Sequence, residues 1–393
     1  MNEKIEINLN AAIKNNVNKS QWVKWKFSDL VENIVEKVVP KDSELDRYIG
    51  LKNLDSGSLK IRRFGETSSL IGDKLKIYKG DLIFAKRNAY LKRVAIADFD
   101  AIASAHSMIF RAKAQNIMPE FLPFFLLSEQ FWQRAIEISV GSLSPTINWK
   151  SLAKQEFLLP PKNQQAKFAE LFWTIDDLIQ SENNLLNSLF LSFKSEMKEI
   201  YSNTTENQVQ LKGKIHLETG KRMKGGGLKQ GDILSIGGDN INNKGGVDLE
   251  KKLYISEDFY NQMNSGKLKK NDILMMKDGA KTGKTALLDI DIKAATNEHV
   301  FIIRAKGEFF LQKYLYYFFL SNYGQNQIKK YYHGIIGGIT REDIDEIEIP
   351  IINLKEQHNI INKLDNYQNL IMNTETLLLR SEMLLKSLIK KIF

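Results

Sequence analysis

The segment that comes nearest to enzymatic chemistry is Gly279-Ala280-Lys281-Thr282-Gly283-Lys284-Thr285, which combines the glycines, lysines and hydroxyls of a phosphate-cradling loop. Such a loop needs four residues between its glycines, so that successive backbone N–H groups wrap the phosphates. Here there are three, with Asp278 where the first glycine should stand, and the segment reads as a basic turn between strands. Glu250-Lys251-Lys252 could be half of a metal-nuclease site, but a chain with 47 acidic residues supplies an upstream partner by chance, and solvated charge is the simpler reading. The Asp-Pro-Pro-Tyr type of motif that acts on flipped adenines is missing, since the Pro-Pro pair lies in Leu159-Pro160-Pro161-Lys162. Cysteine is absent, which excludes disulfides, thiolate zinc sites and cysteine nucleophiles. His106 and His299 have no ligand set beside them and read as a polar position fixed by the fold.

The equivalence of those two histidines belongs to a larger pattern. Lys79-Gly80-Asp81-Leu82-Ile83-Phe84-Ala85-Lys86 aligns with Lys270-Asn271-Asp272-Ile273-Leu274-Met275-Met276-Lys277, an offset of 191 read from Asp81 to Asp272. His106 and Arg111-Ala112-Lys113 align with His299 and Arg304-Ala305-Lys306, where the offset from His106 to His299 is 193. Leu178-Ile179, Leu185-Leu186 and Lys194-Ser195 then match Leu370-Ile371, Leu377-Leu378 and Lys386-Ser387. A common order at near-constant offset identifies an internal duplication. The openings match least, with Ile49-Gly50 and Asn53 set against Ile236-Gly237 and Asn240.

Each copy begins with short β-rich runs such as Asp81 to Ala85, Val94 to Ala97 and Ser107 to Arg111, separated by Gly, Asn and Asp. One aromatic helix is expected next, near Pro119 to Ile138 and again at Phe309 to Tyr332, with its aromatics in the core rather than stacking on bases. After Pro160-Pro161 the spacing becomes heptad. Phe172, Ile179, Leu186, Phe193 and Ile200 lie on one line, and Leu364, Ile371, Leu378, Leu385 and Ile392 on its counterpart, widened by Leu370, Leu377 and Leu384. Such a stripe must be buried, either on another helix, with the other copy as the obvious partner, or in a helical bundle packed on the domains. The expected fold is therefore α+β: domain 1 over 1–160, helix 1 over 161–202, domain 2 over 203–352 and helix 2 over 353–393, with the helices in an antiparallel coiled coil ~55 Å long.

A length of 393 residues suits two or more domains, and 43% apolar with 26% charged residues suits a folded chain. The Asn- and Lys-rich stretch from Met1 to Ser20 has no apolar signal core and no run is long enough for a membrane span, so a cytoplasmic protein without a membrane role is expected. A formal charge of +9 favours a polyanion. Lys86-Arg87 with Lys92-Arg93, and Lys277 with Lys281 and Lys284, flank equivalent turns and are spaced for phosphates, while Asn88, Tyr90 and Thr282 offer groups to base edges. Arg62-Arg63 and Lys221-Arg222-Lys224 form further basic clusters.

This arrangement resembles the specificity subunits of type I restriction-modification enzymes along nearly the whole chain. The strand and basic turn of that family look like Gly80-Asp81-Leu82-Ile83 through Lys92-Arg93-Val94-Ala95, and Asp272-Ile273-Leu274 through Gly283-Lys284-Thr285-Ala286. Gly141-Ser142-Leu143 and Gly334 to Thr340 are similar to its later turn. Pro350 with Glu356-Gln357 resembles its proline-led start of the conserved helix, where the first copy departs and reads Pro160-Pro161 with Gln164-Gln165. The resemblance implies that each domain reads half of a bipartite double-stranded DNA target and that the helices space the halves. It also implies that chemistry comes from two methyltransferase subunits and from restriction/translocase subunits, which carry S-adenosylmethionine, ATP and Mg. No cofactor is expected in this chain.

The alternative is a coiled-coil protein–protein adaptor whose charge is incidental, and salt separates the two. For a DNA reader, affinity for duplex DNA should fall steeply with ionic strength, and replacing Lys281 and Lys284 should flatten the log–log slope by roughly one for each phosphate no longer neutralised. An adaptor would show neither effect.

Overall fold

A computed structural model describes residues 19–202, 207–334 and 337–393, so the expectations for 1–18, 203–206 and 335–336 (the last within the Gly334 to Thr340 turn) lie outside the described residues. The chain forms two compact units, one holding residues up to Glu182 together with Leu377–Phe393, the other Asn183–Thr376. Each unit thus contains a globular region and a stretch of both long helices.

In the first unit the main sheet is antiparallel. Its strands are β1 (Val31–Ile34), β2 (Leu82–Ala85), β3 (Val94–Ile96) and β4 (Ser107–Ala112), in the order β1-β4-β2-β3. All four residues of β2 are buried, which explains its unbroken apolar sequence: Leu82 and Phe84 face one core, Ile83 and Ala85 a second on the other side. The helical layer that covers the first core is two helices, α1 (Leu122–Leu127) and α2 (Glu129–Glu137), rather than the single one expected. The break is at Ser128, whose backbone is extended; its hydroxyl donates to Phe125 O at 2.6 Å and accepts from Phe131 N at 3.3 Å. A short hydroxyl side chain competes for the backbone groups of a helix and converts an interior position into a cap. Phe121, Phe124, Phe125, Phe131 and Trp132 are fully buried, as core aromatics should be. Helix α3 (Lys162–Ser202) follows.

The second unit repeats this plan. Strands β5 (Ile215–Thr219), β6 (Ile273–Met276), β7 (Thr285–Leu287) and β8 (Val300–Ala305) are ordered β5-β8-β6-β7. Helices α4 (Gln312–Leu320) and α5 (Asn322–Lys329) are broken at Ser321 by the same pair of hydroxyl bonds, to Phe318 O and from Gly324 N. Helix α6 (Leu354–Ile392) ends the chain. The weakly matched openings are equivalent too: Ile49 pairs in parallel with Ala103 and Ile236 with Thr296, and Asn53 and Asn240 each accept from a glycine N–H, at 2.8 and 3.0 Å.

Three buried polar devices recur. Arg111 makes a two-pronged contact with Asp81 (2.5 and 3.0 Å), as Arg304 does with Asp272 (2.6 Å each), and both aspartates are almost fully buried. The same aspartates accept from the backbone N–H of Tyr78 and Lys269, at 2.8 Å each. Buried Gln165 accepts from Met118 N at 2.9 Å and donates to Pro160 O, while Gln357 accepts from Leu311 N at 2.8 Å and donates to Phe309 O and Ile352 O. The Gln164-Gln165 variation at the start of the first helix therefore preserves the contact.

The helices run antiparallel where they meet. In the second unit Lys363 pairs with Glu196 at 2.5 Å, and Phe193 lies 6.1 Å from Tyr367 between ring centroids. In the first, Ser381 donates to Glu182, and Ile175 and Ile179 share a core with Leu385, Leu388 and Ile389. Of the expected seam, Ile179, Phe193, Leu364, Ile371 and Leu385 are buried, and Leu186 and Leu378 are partly so. Phe172 is buried as well, but with its ring 4.9 Å from Phe124 of α1. There the globular region fills the stripe. Leu370 and Leu377 do not widen it; they are 52% and 43% exposed, because the facing helix covers too narrow an arc to reach them.

Arg304 is the less exposed of the two paired arginines, at 25% against 41% for Arg111. Arg304→Met, which strands the Asp272 carboxylate, should lower the opening free energy of the strand around it by ~3 kcal/mol, and Arg111→Met by less. Amide hydrogen exchange in β6 and β8, compared with β2 and β4, measures both.

Candidate nucleic-acid interface

The basic turns follow β2 and β6, and one hydrogen-bonded frame holds both. Lys86 N donates to His106 O and Lys277 N to His299 O; Ala85 N donates to Arg93 O and Met276 N to Lys284 O; Ile147 N donates to Lys86 O and Ile339 N to Lys277 O. Isolated bridges then join Arg87 to Thr146 and Asp278 to Gly338. His106 and His299 are thus equivalent through their backbones. In the second copy Gly279 and Gly283 take left-handed conformations; in the first, Asn88 and Lys92 adopt them despite their side chains.

The turns present their cations unequally. Arg87, Tyr90 and Lys281 are exposed, and neither Arg87 nor Lys281 makes an ion pair among the described residues. Lys86 opens onto a cleft of about 700 Å³ in the first unit, lined also by Asn33, Lys37, Lys74, Asn148 and Trp149. Lys277 lies over the Phe301 ring at 5.8 Å. Lys284 is half-buried, and burial together with the charge of Lys281 draws it below the usual lysine range.

Two expected contacts are corrected. Thr282 is buried, with its hydroxyl donating to Gly279 O at 2.8 Å, so it closes the turn instead of offering a group to a base. Arg93 turns inward to Leu51 O at 2.8 Å, and burial lowers its pKa. Lys92 makes a solvent-exposed ion pair with Glu129, at 2.6 and 2.8 Å, at the start of α2, a contact weak enough to exchange for a phosphate. Asn88 keeps a buried Oδ1 with no partner among the described residues.

The outlying clusters divide. Lys221, Arg222 and Lys224 are exposed on the segment that leaves β5, where Gly220 N donates to Asn297 O, two residues from the His299 that anchors the Lys277 turn. They share that end of the sheet. Arg62 and Arg63 both pair with Asp55, and Arg62 lines a different cleft beside Asp176 and Lys386 of the long helices. Lys37, which pairs with Asp73, and Lys74, which donates to Gly72 O, lie on the cleft wall outside the sequence reading, and that reading passed over Asp278, which pairs with His299 at 2.9 Å. Its position opposite Arg87 in the repeat was the available signal. Among the described residues no cluster of His, Asp or Glu could hold a metal ion, and no helix is long and apolar enough to cross a membrane.

Two matches to one family profile, described as "Type I restriction modification DNA specificity domain", cover residues 19–190 and 206–380. The chain belongs to this family. It is 23% identical over 289 residues to the specificity subunit of the type I restriction enzyme MjaVIII of Methanocaldococcus jannaschii, covering 67% of each chain. It is 30% identical over 173 residues to the EcoDI specificity subunit of Escherichia coli, covering 41% of this chain and 37% of that one. The crystal structure of the type I S subunit from M. genitalium superposes with a TM-score of 0.62 at 14% identity, over 96% of this chain and 97% of that one. A chain from a study of complex assembly in a type I restriction-modification system superposes with a TM-score of 0.58 at 19% identity, over 94% and 98%. As a specificity subunit this chain supplies sequence-specific DNA recognition rather than catalysis, and it acts with other subunits of such a system; the adaptor reading is not favoured.

The geometry of the second turn sets a direct expectation for this specificity subunit. Thr282→Val should leave duplex affinity within twofold of wild type, since its hydroxyl is spent inside the turn, whereas Lys281→Ala should weaken it and flatten its salt dependence. Fluorescence anisotropy at several salt concentrations checks the contrast.

Proposed function

We propose that the two globular regions read two unrelated halves of a bipartite, non-palindromic DNA target, with Lys86, Arg87, Tyr90, Lys221, Arg222, Lys224, Lys277 and Lys281 meeting phosphates and base edges. One observation carries the reading: a single hydrogen-bonded turn frame occurs twice, with different exposed side chains on it. A shared frame with divergent side chains is what two readers of different sequence require. The long helices act as the ruler between the halves. At 41 and 39 residues they measure ~60 Å each at the α-helical rise.

Two methyltransferase subunits dock on those helices. Leu178 and Leu185 of α3 are 48% and 52% exposed, and their repeat equivalents on α6 are Leu370 and Leu377. Residues seven apart share a helix face, so each helix carries an exposed leucine pair at equivalent positions, beside Leu191 on α3 and Met372, Leu379 and Met383 on α6, and two equivalent pairs suit two copies of one partner. Those subunits bring S-adenosylmethionine, restriction/translocase subunits bring ATP and Mg, and the assembly works in the cytoplasm.

Methylome sequencing of cells with and without the gene should show one bipartite, asymmetric motif that depends on it; no change in motif between the two would refute the reading. Replacing Leu178, Leu185, Leu370 and Leu377 together by Asp should abolish that methylation while duplex binding by the full chain persists.

A further inference from the structure

The position after the first lysine of each turn carries opposite charge in the two copies. Arg87 and Asp278 occupy the same place in the frame: each follows the lysine that donates to a histidine carbonyl, and each forms the bridge to the returning loop. Arg87 is exposed and makes no ion pair among the described residues. Asp278 is 44% exposed and stands among Lys277, Lys281 and Lys284. His299 Nδ1 donates to its carboxylate, 2.9 Å from both oxygens, and the second ring nitrogen lies 3.4 Å from Glu298.

A carboxylate on a surface that meets phosphates opposes binding to every sequence alike. Its favourable use there is to accept a hydrogen bond from a base. In the major groove the exocyclic amines, N4 of cytosine and N6 of adenine, are the donors, while Arg forms its two-pronged contact with guanine O6 and N7. The His299 contact spends one N–H on two carboxylate oxygens, and the 44% exposed carboxylate keeps further lone pairs able to accept.

We infer that Asp278 is a base-reading residue of the second domain that accepts from an exocyclic amine, with His299 as its positioning residue, and that Arg87 is its donor counterpart in the first. The inference rests on the proposed DNA interface and deepens it: the two half-sites are read at one equivalent position by chemistry of opposite polarity.

The test is selection of binding duplexes from a randomised pool by the full chain, for wild type, Asp278→Ala, Asp278→Asn, His299→Ala and Arg87→Ala. Wild type should select a bipartite motif with cytosine or adenine fixed at one position of one half, and competition with substituted duplexes tells the two bases apart. Asp278→Ala should lose roughly tenfold or more of the preference there and at no other position. His299→Ala should weaken preference at that same position, and Arg87→Ala should relax a guanine in the other half alone. Asp278→Asn, which keeps an acceptor and adds a donor, should broaden the choice rather than erase it, and it guards against a misfolded Ala variant. The inference is overturned if Asp278→Ala selects the unchanged motif, or if it raises affinity for all duplexes equally. A wild type that selects no motif would instead defeat the proposed DNA-reading function, and this inference with it.

Discussion

The contact on which the rest depends is the ion pair between the aspartate that leads into the strand before each basic turn and the strand that returns from it. Asp81 and Asp272 are almost fully buried, and a carboxylate at such a depth is tolerable only when its lone pairs are used. An arginine fork and one backbone N–H use them in both copies. The arginines sit near the far ends of β4 and β8, so each pair locks the register of the central strands. A slip of one residue would exchange the two cores on either face of β2 or β6 and open the pair. With register locked, the histidine carbonyls and the lysine N–H groups at the other end of the ladder meet, and the turn takes a single shape.

That shape is imposed from outside the turn. Gly279 and Gly283 adopt left-handed backbone easily, but Asn88 and Lys92 do so at a cost of ~1 kcal/mol for a residue with a Cβ. The surrounding ladder offsets that cost. Freed from shaping its own backbone, the turn can vary its side chains, which a reader of sequence needs.

The long helices follow a related economy. Tyr201 closes α3 against the ring layer of the second unit, 5.4 Å from Tyr314 and 5.6 Å from Phe318, while Phe393 closes α6 in the first unit, 5.4 Å from Phe121 and 5.7 Å from Phe125. Both terminal rings rest on equivalent residues. Burial raises the Tyr201 hydroxyl well above the ordinary tyrosine range, and the group is satisfied by donating to Tyr314 O at 2.9 Å. Each apolar stripe is thus shared between a facing helix and a globular region.

The sequence by itself determined the features that repeat or have a period: the duplication, the β-rich runs, the heptad lines and the burial of the aromatics. These depend on local pattern, and pattern survives without knowledge of the fold. It could not show that Ser128 and Ser321 break the aromatic helices, because a serine caps or continues a helix according to the carbonyl within reach. Nor could it show that Gln165 and Gln357 make one contact, although their neighbours differ. The tertiary structure alone decided which polar groups are available. Arg93 and Thr282 look free in the chain, yet burial and a nearby carbonyl retire them. Asp278 looks like a failed glycine, yet the β6–β8 ladder carries it across 21 residues to His299. Whether a charged side chain serves the surface or the frame depends on partners distant in sequence, and only folding brings those together.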